Sequence, residues 1–311
     1  MNEQQMTPPP PPGIIASLRA GFDAIARHIA AILFPLTLDL LLWLGPHVRL
    51  ERLVTPLLAD LAAVARNSDF PAWEIQRAQE VWGELFARFN LLSLLRTFPI
   101  GISSLLAGMM PAETPFGEPV VVQVSSPLAL FGWLCALTLL GWIGGGVYFY
   151  WVARASTEGE GRCEASMPHS LLHTILLSIS WIVLLSVISL PALLAVSFLA
   201  LFNLTIAQGL MMFLMLLSLW LILPVAFSPH GIFLARQNAF RSIWSSLRLV
   251  RLTLPTSSLF LLAVLVLAKG LNLLWSIPPA DSWMLLVGIA GHAFVTTALL
   301  SATFIYYRDM Q

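Results

Sequence analysis

Hydrophobic residues run without an intervening charge from Ala165 to Ala235, and this stretch decides the class of the protein. It contains no Asp, Glu, Lys or Arg and is dense in Leu, Ile, Val, Phe and Met. A water-soluble domain needs a polar face for each core-facing one, whereas about 20 apolar residues cross the hydrocarbon of a bilayer as one helix. The stretch therefore predicts two consecutive membrane spans, over residues 170–190 and 206–228.

Four further segments have the length and the apolar content of a membrane span. Each is close to the roughly 20 residues that a helix needs to cross the hydrocarbon. They are residues 29–46, 128–152, 257–277 and 283–306. The whole pattern predicts an all-α integral membrane protein with six transmembrane helices.

Two other segments, residues 14–28 and 231–252, are amphipathic. In the first, Arg19, Asp23 and Arg27 lie opposite the apolar positions, which repeat at helical spacing. A helix with this pattern lies in the plane of the membrane interface. We therefore predict one interfacial helix before the first span and a second, basic and cytoplasmic one after the fourth.

The first 13 residues end in five prolines, Pro8 to Pro12, followed by Gly13. Such a run favours an extended, solvated chain that cannot form a core. We therefore predict a disordered, Pro-rich tail over residues 1–13. The segment after it lacks the charged region, apolar core and small-residue cleavage site, in that order, of a removable signal peptide.

Residues 47–126, between the first two predicted spans, begin with two amphipathic stripes. Turn-forming residues at 67–71 separate the stripes, which predicts a helical hairpin that rests on the membrane or on the other spans. A loop follows, in which Val120–Val124 suggests a short strand without a visible partner strand.

Residues 91–110, within that region, are apolar enough to suggest a seventh span. Arg96 in the first third and the Pro99-Ile100-Gly101 break argue against one. We predict instead either a dip into the interface or a short buried hairpin.

Among the short connections between predicted spans, arginines occur only on alternate sides of the membrane. The basic set comprises Arg19, Arg27, Arg154, Arg162, Arg236, Arg241, Arg248, Arg251 and Arg308. The links 202–207 and 278–282 on the other side have no basic residue. The positive-inside rule places both termini in the cytoplasm and the 47–126 region outside. We expect the protein in a bacterial cytoplasmic membrane.

The composition agrees with a membrane protein and argues against nucleic acid as a partner. Hydrophobic residues make up 58% of the 311 residues and charged ones 10%, against roughly 25% charged in ordinary globular domains. A formal net charge of zero gives no global attraction to nucleic acid. We expect the lipid bilayer as the main partner, with a membrane-protein partner or a homo-oligomer as alternatives, and no cofactor.

Three ionisable residues fall inside predicted spans: Asp39, Lys269 and His292. Counting about 1.5 Å per helical residue puts them near one depth, at or slightly outside the midplane. A lone charge there costs about 2.5–3.5 kcal/mol, which a pair of Asp39 and Lys269 beside His292 would offset. Three interpretations stay open: a structural ion pair, no pair with Lys269 extending to the outer interface, or an ion, proton or substrate site.

Other motifs are less specific. Gly141 and Gly145 form a GxxxG pair in the second span, which favours close helix packing. His169 and His173 share a helix face without an evident third metal ligand, so we interpret them as interfacial histidines. The sequence has no HExxH, GxSxG or Walker motif to indicate a hydrolase or nucleotide site. We predict no catalytic residue, no metal site and no enzymatic activity.

A helix and the last span resemble a known group of proteins. Gln237–Val250 carries the pattern Ala-Phe-x-x-Ile-Trp-x-x-Leu, and the final span ends in Tyr306-Tyr307-Arg308-Asp309. In these features the chain resembles poorly characterised bacterial six-span membrane proteins, which include the membrane domain attached to some glycerophosphodiester phosphodiesterases. The resemblance implies a six-span helical fold and, without a phosphodiesterase domain, no activity.

These observations leave two hypotheses about function. The first is a non-enzymatic structural or accessory membrane subunit, with the outer hairpin or the basic inner helix as its contact surface. The alternative is a transporter or permease component that uses the cluster of Asp39, Lys269 and His292. The substrate, the partner and the oligomeric state do not follow from the sequence.

Overall fold

Helices account for nearly all of the regular structure. The structure, a computed structural model, describes residues 13–67, 71–157, 165–200 and 202–310, so the predicted tail lies outside it apart from Gly13. Over these residues the chain forms the helices α1 (Ile14–Arg27), α2 (Leu33–Leu44), α3 (Glu51–Arg66), α4 (Ala72–Arg88), α5 (Leu106–Met109), α6 (Pro127–Thr157), α7 (Met167–Ala200), α8 (Leu204–Ile222), α9 (Ser228–Leu234), α10 (Ala239–Leu252), α11 (Leu254–Trp275) and α12 (Leu285–Asp309). The strands are β1 (His47–Arg49) and β2 (Val121–Gln123).

Five helical segments in the described chain are long and apolar enough to cross a membrane: α6, α7, the run of α8 and α9, α11 and α12. A sixth is added if α1 and the helix over Ile29–Leu44 count as one span, although they meet at an angle of 94°. A single 3-10 turn over Ile29–Ile32 forms this bend. The described chain is predominantly helical, and its five or six helices of spanning length are consistent with an all-α multi-pass membrane protein.

Two helices have boundaries that differ from the predicted ones. α7 continues through Pro191 to Ala200, although the predicted span ended at residue 190. In lipid, a helix is the structure that satisfies exposed backbone groups, so the apolar residues after the proline stay helical. The single helix predicted over 231–252 is split into α9 and α10, because Arg236 adopts a left-handed φ of 49° between them.

α12 is the central helix of the bundle and packs against α1, α2, α6, α9 and α11. Hydroxyl groups along it make hydrogen bonds to its neighbours, and in lipid such interhelical bonds add to close packing. The bonds join Ser103 to Thr296 (2.8 Å), Tyr148 to Thr297 (2.9 Å), Ser156 to Ser301 (2.8 Å) and His230 to Thr303 (2.8 Å). They attach α6, α9 and the segment before α5 to one central helix.

α1 packs against α12 through a face of small residues. Ser17, Gly21 and Ala24 are buried in this face, whereas Arg19 and Asp23 on the other side are exposed. A Cβ atom on Gly21 would lie 2.6 Å from the carbonyl oxygen of Ala298. The amphipathic pattern of residues 14–28 therefore corresponds to a helix that rests on the bundle itself.

The two strands join the chain on both sides of the hairpin formed by α3 and α4. β1 pairs in parallel with β2, with His47 opposite Val121. His47 is buried, and burial lowers the pKa of its imidazole, so the neutral ring can donate its Nε2 hydrogen to the carbonyl oxygen of Leu42 (3.2 Å). The sheet thus connects the end of α2 to the segment that leads into α6.

Candidate functional site: a polar cavity beside a re-entrant segment

Residues 90–110 enter the helical bundle and return to the end at which they started. At that end, Asn90 accepts a hydrogen bond from the Val48 amide in β1 (3.1 Å), and β2 follows the segment. Inside the bundle, Ser103 reaches Thr296, which lies roughly 17 Å along α12 at about 1.5 Å per residue. The segment folds back on itself beside α6 and α12, and we call residues 90–110 the re-entrant segment. Whether it dips into the interface or is a buried hairpin stays a prediction.

Asp39 in α2 holds the returning half of the re-entrant segment. Its carboxylate accepts hydrogen bonds from the Ser104 hydroxyl (2.5 Å) and from the amides of Leu105 and Leu106 (both 3.1 Å). The side chain is fully buried. A carboxylate at the first amides of a helix satisfies donors that have no partner within that helix, so Asp39 fixes the start of α5.

The ion pair between Asp39 and Lys269 is not formed in the described structure, because donors of the re-entrant segment occupy the Asp39 oxygens. Lys269 is exposed on α11 and has no hydrogen bond or ion pair to any described residue. It lies roughly 9 Å before the end of α11, at about 1.5 Å per residue. This position fits the alternative in which its long side chain extends to the interface.

His292 is the third residue of the predicted cluster and lies in α12. Its ring is 6% exposed, and its Nε2 atom has no hydrogen-bond partner among the described residues. Arg96 is close enough for its charge to act on both Asp39 and His292, and the charge of Lys269 also acts on His292. The structure therefore adds an arginine of the re-entrant segment to the neighbourhood of the predicted residues.

Gly141 and Gly145 of α6 face the backbone of the re-entrant segment. A Cβ atom on Gly141 would lie 2.8 Å from the carbonyl oxygen of Leu95, and one on Gly145 would lie 2.6 Å from the Cα atom of Gly101. The sequence predicted close helix packing at this pair. The structure places irregular backbone there, which approaches α6 closely because neither glycine has a side chain.

A cavity of 220 Å³ lies between the re-entrant segment, α6 and α12. It is lined by Arg96, Thr97, Pro99, Gly101, Ile102, Ser103, Tyr148, Phe149, Thr296 and Leu300. Four of these residues carry hydroxyl groups, and one is charged. The guanidinium of Arg96 makes no hydrogen bond or ion pair with the described chain. A planar, permanently charged donor group of this kind suits a carboxylate, phosphate or similar anion.

Sequence reasoning missed the lining of this cavity, although Arg96 was a usable signal. An ionisable residue in an otherwise apolar stretch marks a functional position by default, whereas we took it only as an argument against a span. The hydroxyl groups of Thr97, Ser103 and Thr296 had no comparable signal. No group of three or more metal-ligating side chains occurs in the described ranges.

Comparison with known proteins adds no family to these observations. No protein-family model matches the chain. Among curated proteins and among solved structures, likewise, none is significantly similar. The resemblance to membrane domains of glycerophosphodiester phosphodiesterases stays a prediction, and the function has to be inferred from the geometry of the chain alone.

Proposed function

We propose that this protein is a six-span component of a bacterial cytoplasmic membrane that binds a small anionic solute in the cavity beside the re-entrant segment, as a transporter or permease component. The observation that carries this proposal is the cavity itself, which combines the charge of Arg96 with irregular backbone inside a helical bundle. This places the transporter hypothesis ahead of the accessory-subunit hypothesis.

Irregular backbone at membrane depth needs hydrogen-bond partners that lipid does not provide. Lipid offers no hydrogen bonds to exposed amides and carbonyls, so such backbone is tolerated where it is buried in protein or lines a water-filled cavity. Transporters use broken helices and unwound segments of this kind to form their binding sites. The segment from Arg96 to Leu105 fits this description, because its backbone lies between α6, α12 and Asp39 of α2.

The proposed orientation has both termini in the cytoplasm. Arg308, at the end of α12, donates a hydrogen bond to the carbonyl oxygen of Ser156 near the end of α6 (3.4 Å), so Arg154 and Arg308 belong to one end of the bundle. The sheet and the re-entrant segment belong to the other end. By the positive-inside rule, the arginine-rich end is cytoplasmic and the re-entrant segment begins and ends at the outer end. We infer that the cavity is reached from the outer side, along this segment.

A charge-sensitive labelling experiment tests the proposal. In a background with Cys135→Ala and Cys163→Ala, we expect Ser103→Cys to react with water-soluble thiosulfonates added outside the cell. Because Arg96 attracts anions, the sulfonatoethyl reagent should react faster than the trimethylammonium reagent, after correction for intrinsic rates. Arg96→Gln should slow the sulfonatoethyl reagent about five-fold, corresponding to about 1 kcal/mol for one charge in water-like surroundings. The trimethylammonium reagent should not be slowed, so the preference for the anionic reagent is lost.

Ser218→Cys is the matched control for this experiment. Ser218 is exposed on α8, away from the cavity, so it faces lipid in the proposed arrangement and should not react with either reagent. Full protection of Ser103→Cys from both reagents, or a preference that Arg96→Gln leaves unchanged, would contradict an anion-accepting cavity.

A second candidate function is the accessory subunit, and the hairpin of α3 and α4 favours it. An open groove of 580 Å³ runs between these helices, and ten of its twelve lining residues are apolar. Leu57, Leu61 and Trp82 line it and are also exposed. An amphipathic helix of a partner protein would bury this surface, as in helix-in-groove recognition.

Photo-crosslinking tests the second candidate. Benzoylphenylalanine at Leu61, in the groove, should give one discrete cross-linked protein in intact membranes, either a partner or a second copy of the chain. The same group at Arg77, which is exposed outside the groove, is the control and should give none. Cross-links from Leu61 to lipid alone would count against a protein partner.

A further inference from the structure

A second polar cavity lies beside the start of α7 and the start of α10, and it shares no lining residue with the first cavity. Its volume is 400 Å³, and it is lined by His169, Ala235, Arg236, Gln237, Asn238 and Arg241. These residues come from the first turn of α7, the link between α9 and α10, and the first turn of α10. We call it the inner pocket.

Among the residues that the structure describes, the charged groups of the inner pocket have no counter-ion. Arg236 and Arg241 make no side-chain hydrogen bond or ion pair within the part of the chain that the structure describes. None of the described lining residues is acidic. Two unbalanced guanidinium groups that line one cavity create a positive potential, which attracts an anion.

Uncharged polar groups in the first turns of α7, beside the inner pocket, also lack partners among the described residues. The Nδ1 atoms of His169 and His173 are buried without a hydrogen-bond partner among the described residues, and the two rings are 4.3 Å apart. The Ser170 hydroxyl, directly after His169 in α7, is fully buried and also has no hydrogen-bond partner in the described chain. Buried polar atoms are normally paired with protein, water or ligand. His169 lines the inner pocket, so it can offer a hydrogen bond there in addition to the charge of the arginines.

The helix beside the inner pocket places it at the level of lipid headgroups. α10 exposes Phe240 (82%) and Trp244 (70%), together with Leu247, while it buries Ser242 and Ser246 against the bundle. Exposed aromatic residues on a basic amphipathic helix insert below the headgroups, with the arginines at headgroup level. A lipid headgroup can therefore reach Arg236 and Arg241.

We propose that the inner pocket binds a phosphate group, held by the guanidinium groups of Arg236 and Arg241. Arginine suits this ligand because its planar fork matches two phosphate oxygens at once. The exposed Phe240 and Trp244 indicate an anionic phospholipid as the source, although free phosphate offers the same chemistry. This site goes beyond the proposed solute binding, and neither depends on the other.

Thermal-shift titrations of the full-length protein in a zwitterionic detergent test the inner pocket. The probes are short-chain phosphatidylglycerol, short-chain phosphatidylcholine and inorganic phosphate. We expect phosphatidylglycerol to stabilise the protein more than phosphatidylcholine. The double variant Arg236→Gln/Arg241→Gln should weaken the apparent affinity for phosphatidylglycerol about ten-fold, since two charge-assisted hydrogen bonds are lost.

The matched control is Arg248→Gln/Arg251→Gln, which removes the same charge from exposed positions on α10 outside the pocket. Neither side chain lines the pocket, so only the general attraction of exposed charge is lost and the affinity should change less than about two-fold. If the first double variant does not fold, the single variants Arg241→Gln and His169→Gln replace it, each with a smaller expected loss.

The outcomes separate the ligand sources. Stabilisation by phosphatidylglycerol alone that is lost in the pocket variant supports a lipid site, and equal stabilisation by inorganic phosphate supports a site for free phosphate. An equal loss in both double variants would show general attraction to α10, and no loss in either would show that the arginines bind nothing. Either of these results overturns the proposal.

Discussion

Asp39→Ala should lower the stability of the folded protein by about 3 kcal/mol or more. The substitution leaves the Ser104 hydroxyl and the amides of Leu105 and Leu106 buried without their acceptor. Each buried group left unsatisfied costs about 1–3 kcal/mol. We expect a fall in the apparent unfolding temperature of roughly 10 °C, measured by fluorescence-detected size-exclusion chromatography after heating in detergent.

Two further substitutions show whether the hydrogen bonds of Asp39 cause this loss. Asp39→Asn keeps one oxygen, which can still accept from Ser104 and Leu106, so its effect should be intermediate. Asp23→Asn changes a carboxylate that is 63% exposed and lies 3.8 Å from Arg19. Exposed pairs contribute at most about 1 kcal/mol, so this control should stay close to the parent protein.

The substitution Lys269→Met distinguishes an unpaired Lys269, as in the structure, from the Asp39–Lys269 ion pair that the sequence suggested. Removal of one partner of a buried pair is strongly destabilising. Lys269 is exposed and makes no hydrogen bond or ion pair with any described residue, so Lys269→Met should leave the unfolding temperature nearly unchanged. A loss as large as that of Asp39→Ala would contradict the structure and restore the paired arrangement.

The helical class of the protein followed from the hydrophobic pattern, because period and length carry that information directly. The charge-free stretch after Ala165 corresponds to α7 and the run of α8 and α9, both long enough to span. The pattern was less informative about helix ends. Pro191 is compatible with a kink or with the end of a span, and α7 continues through it to Ala200. The break at Arg236 depends on one left-handed residue with no sequence signature.

The partners of single residues were harder to predict than the helices. Asp39 accepts hydrogen bonds from the backbone amides of Leu105 and Leu106. Because every residue except proline has a backbone amide, the sequence does not indicate which residues donate to Asp39. β1 is three residues long, too short for a pattern with a period of two to be recognised. The predicted strand at Val120–Val124 therefore had no visible partner in the sequence, although it pairs with β1 as β2.

Arg96 shows why one observation supported two different interpretations. In a lipid-facing helix, a lone arginine is costly, so the sequence argued against a span over 91–110. The structure resolves the conflict by placing the residue on irregular backbone beside a cavity, where water or an anion can reach the guanidinium. The same physical cost that argued against a span is therefore the basis on which we propose a binding site here.

Gly145→Ala should displace the re-entrant segment from α6 and lower the stability by at most about as much as Asp39→Ala. The added Cβ would lie 2.6 Å from the Cα atom of Gly101 and 3.0 Å from the carbonyl oxygen of Ile100. Both are backbone atoms of a segment that Asp39 holds at its other side. Overpacking of this kind costs about 1–3 kcal/mol, and we expect a lower unfolding temperature.

The matched control, Gly132→Ala, lies on the same helix, and its added Cβ would meet no atom within 4 Å. Alanine in a helix interior is more stable than glycine by about 0.5–1 kcal/mol, so the control should be unchanged or slightly more stable. The two substitutions add the same methyl group to α6 with opposite expected signs. If both substitutions were stabilising, the higher helix propensity of alanine would account for both results. The close approach of Gly101 to α6 would then be refuted.

The rate at which Ser103→Cys is labelled tests whether the packing of Gly145 against the re-entrant segment also matters for the cavity. In the labelling background, Gly145→Ala should change the rate at which Ser103→Cys reacts, because Ser103 and Gly101 belong to the same irregular stretch of backbone. Gly132→Ala should leave the rate unchanged. A stability loss without a change in labelling would mean that Gly145 supports the bundle but not the cavity. A change in both would show that the glycine face of α6 positions the residues proposed to bind the solute.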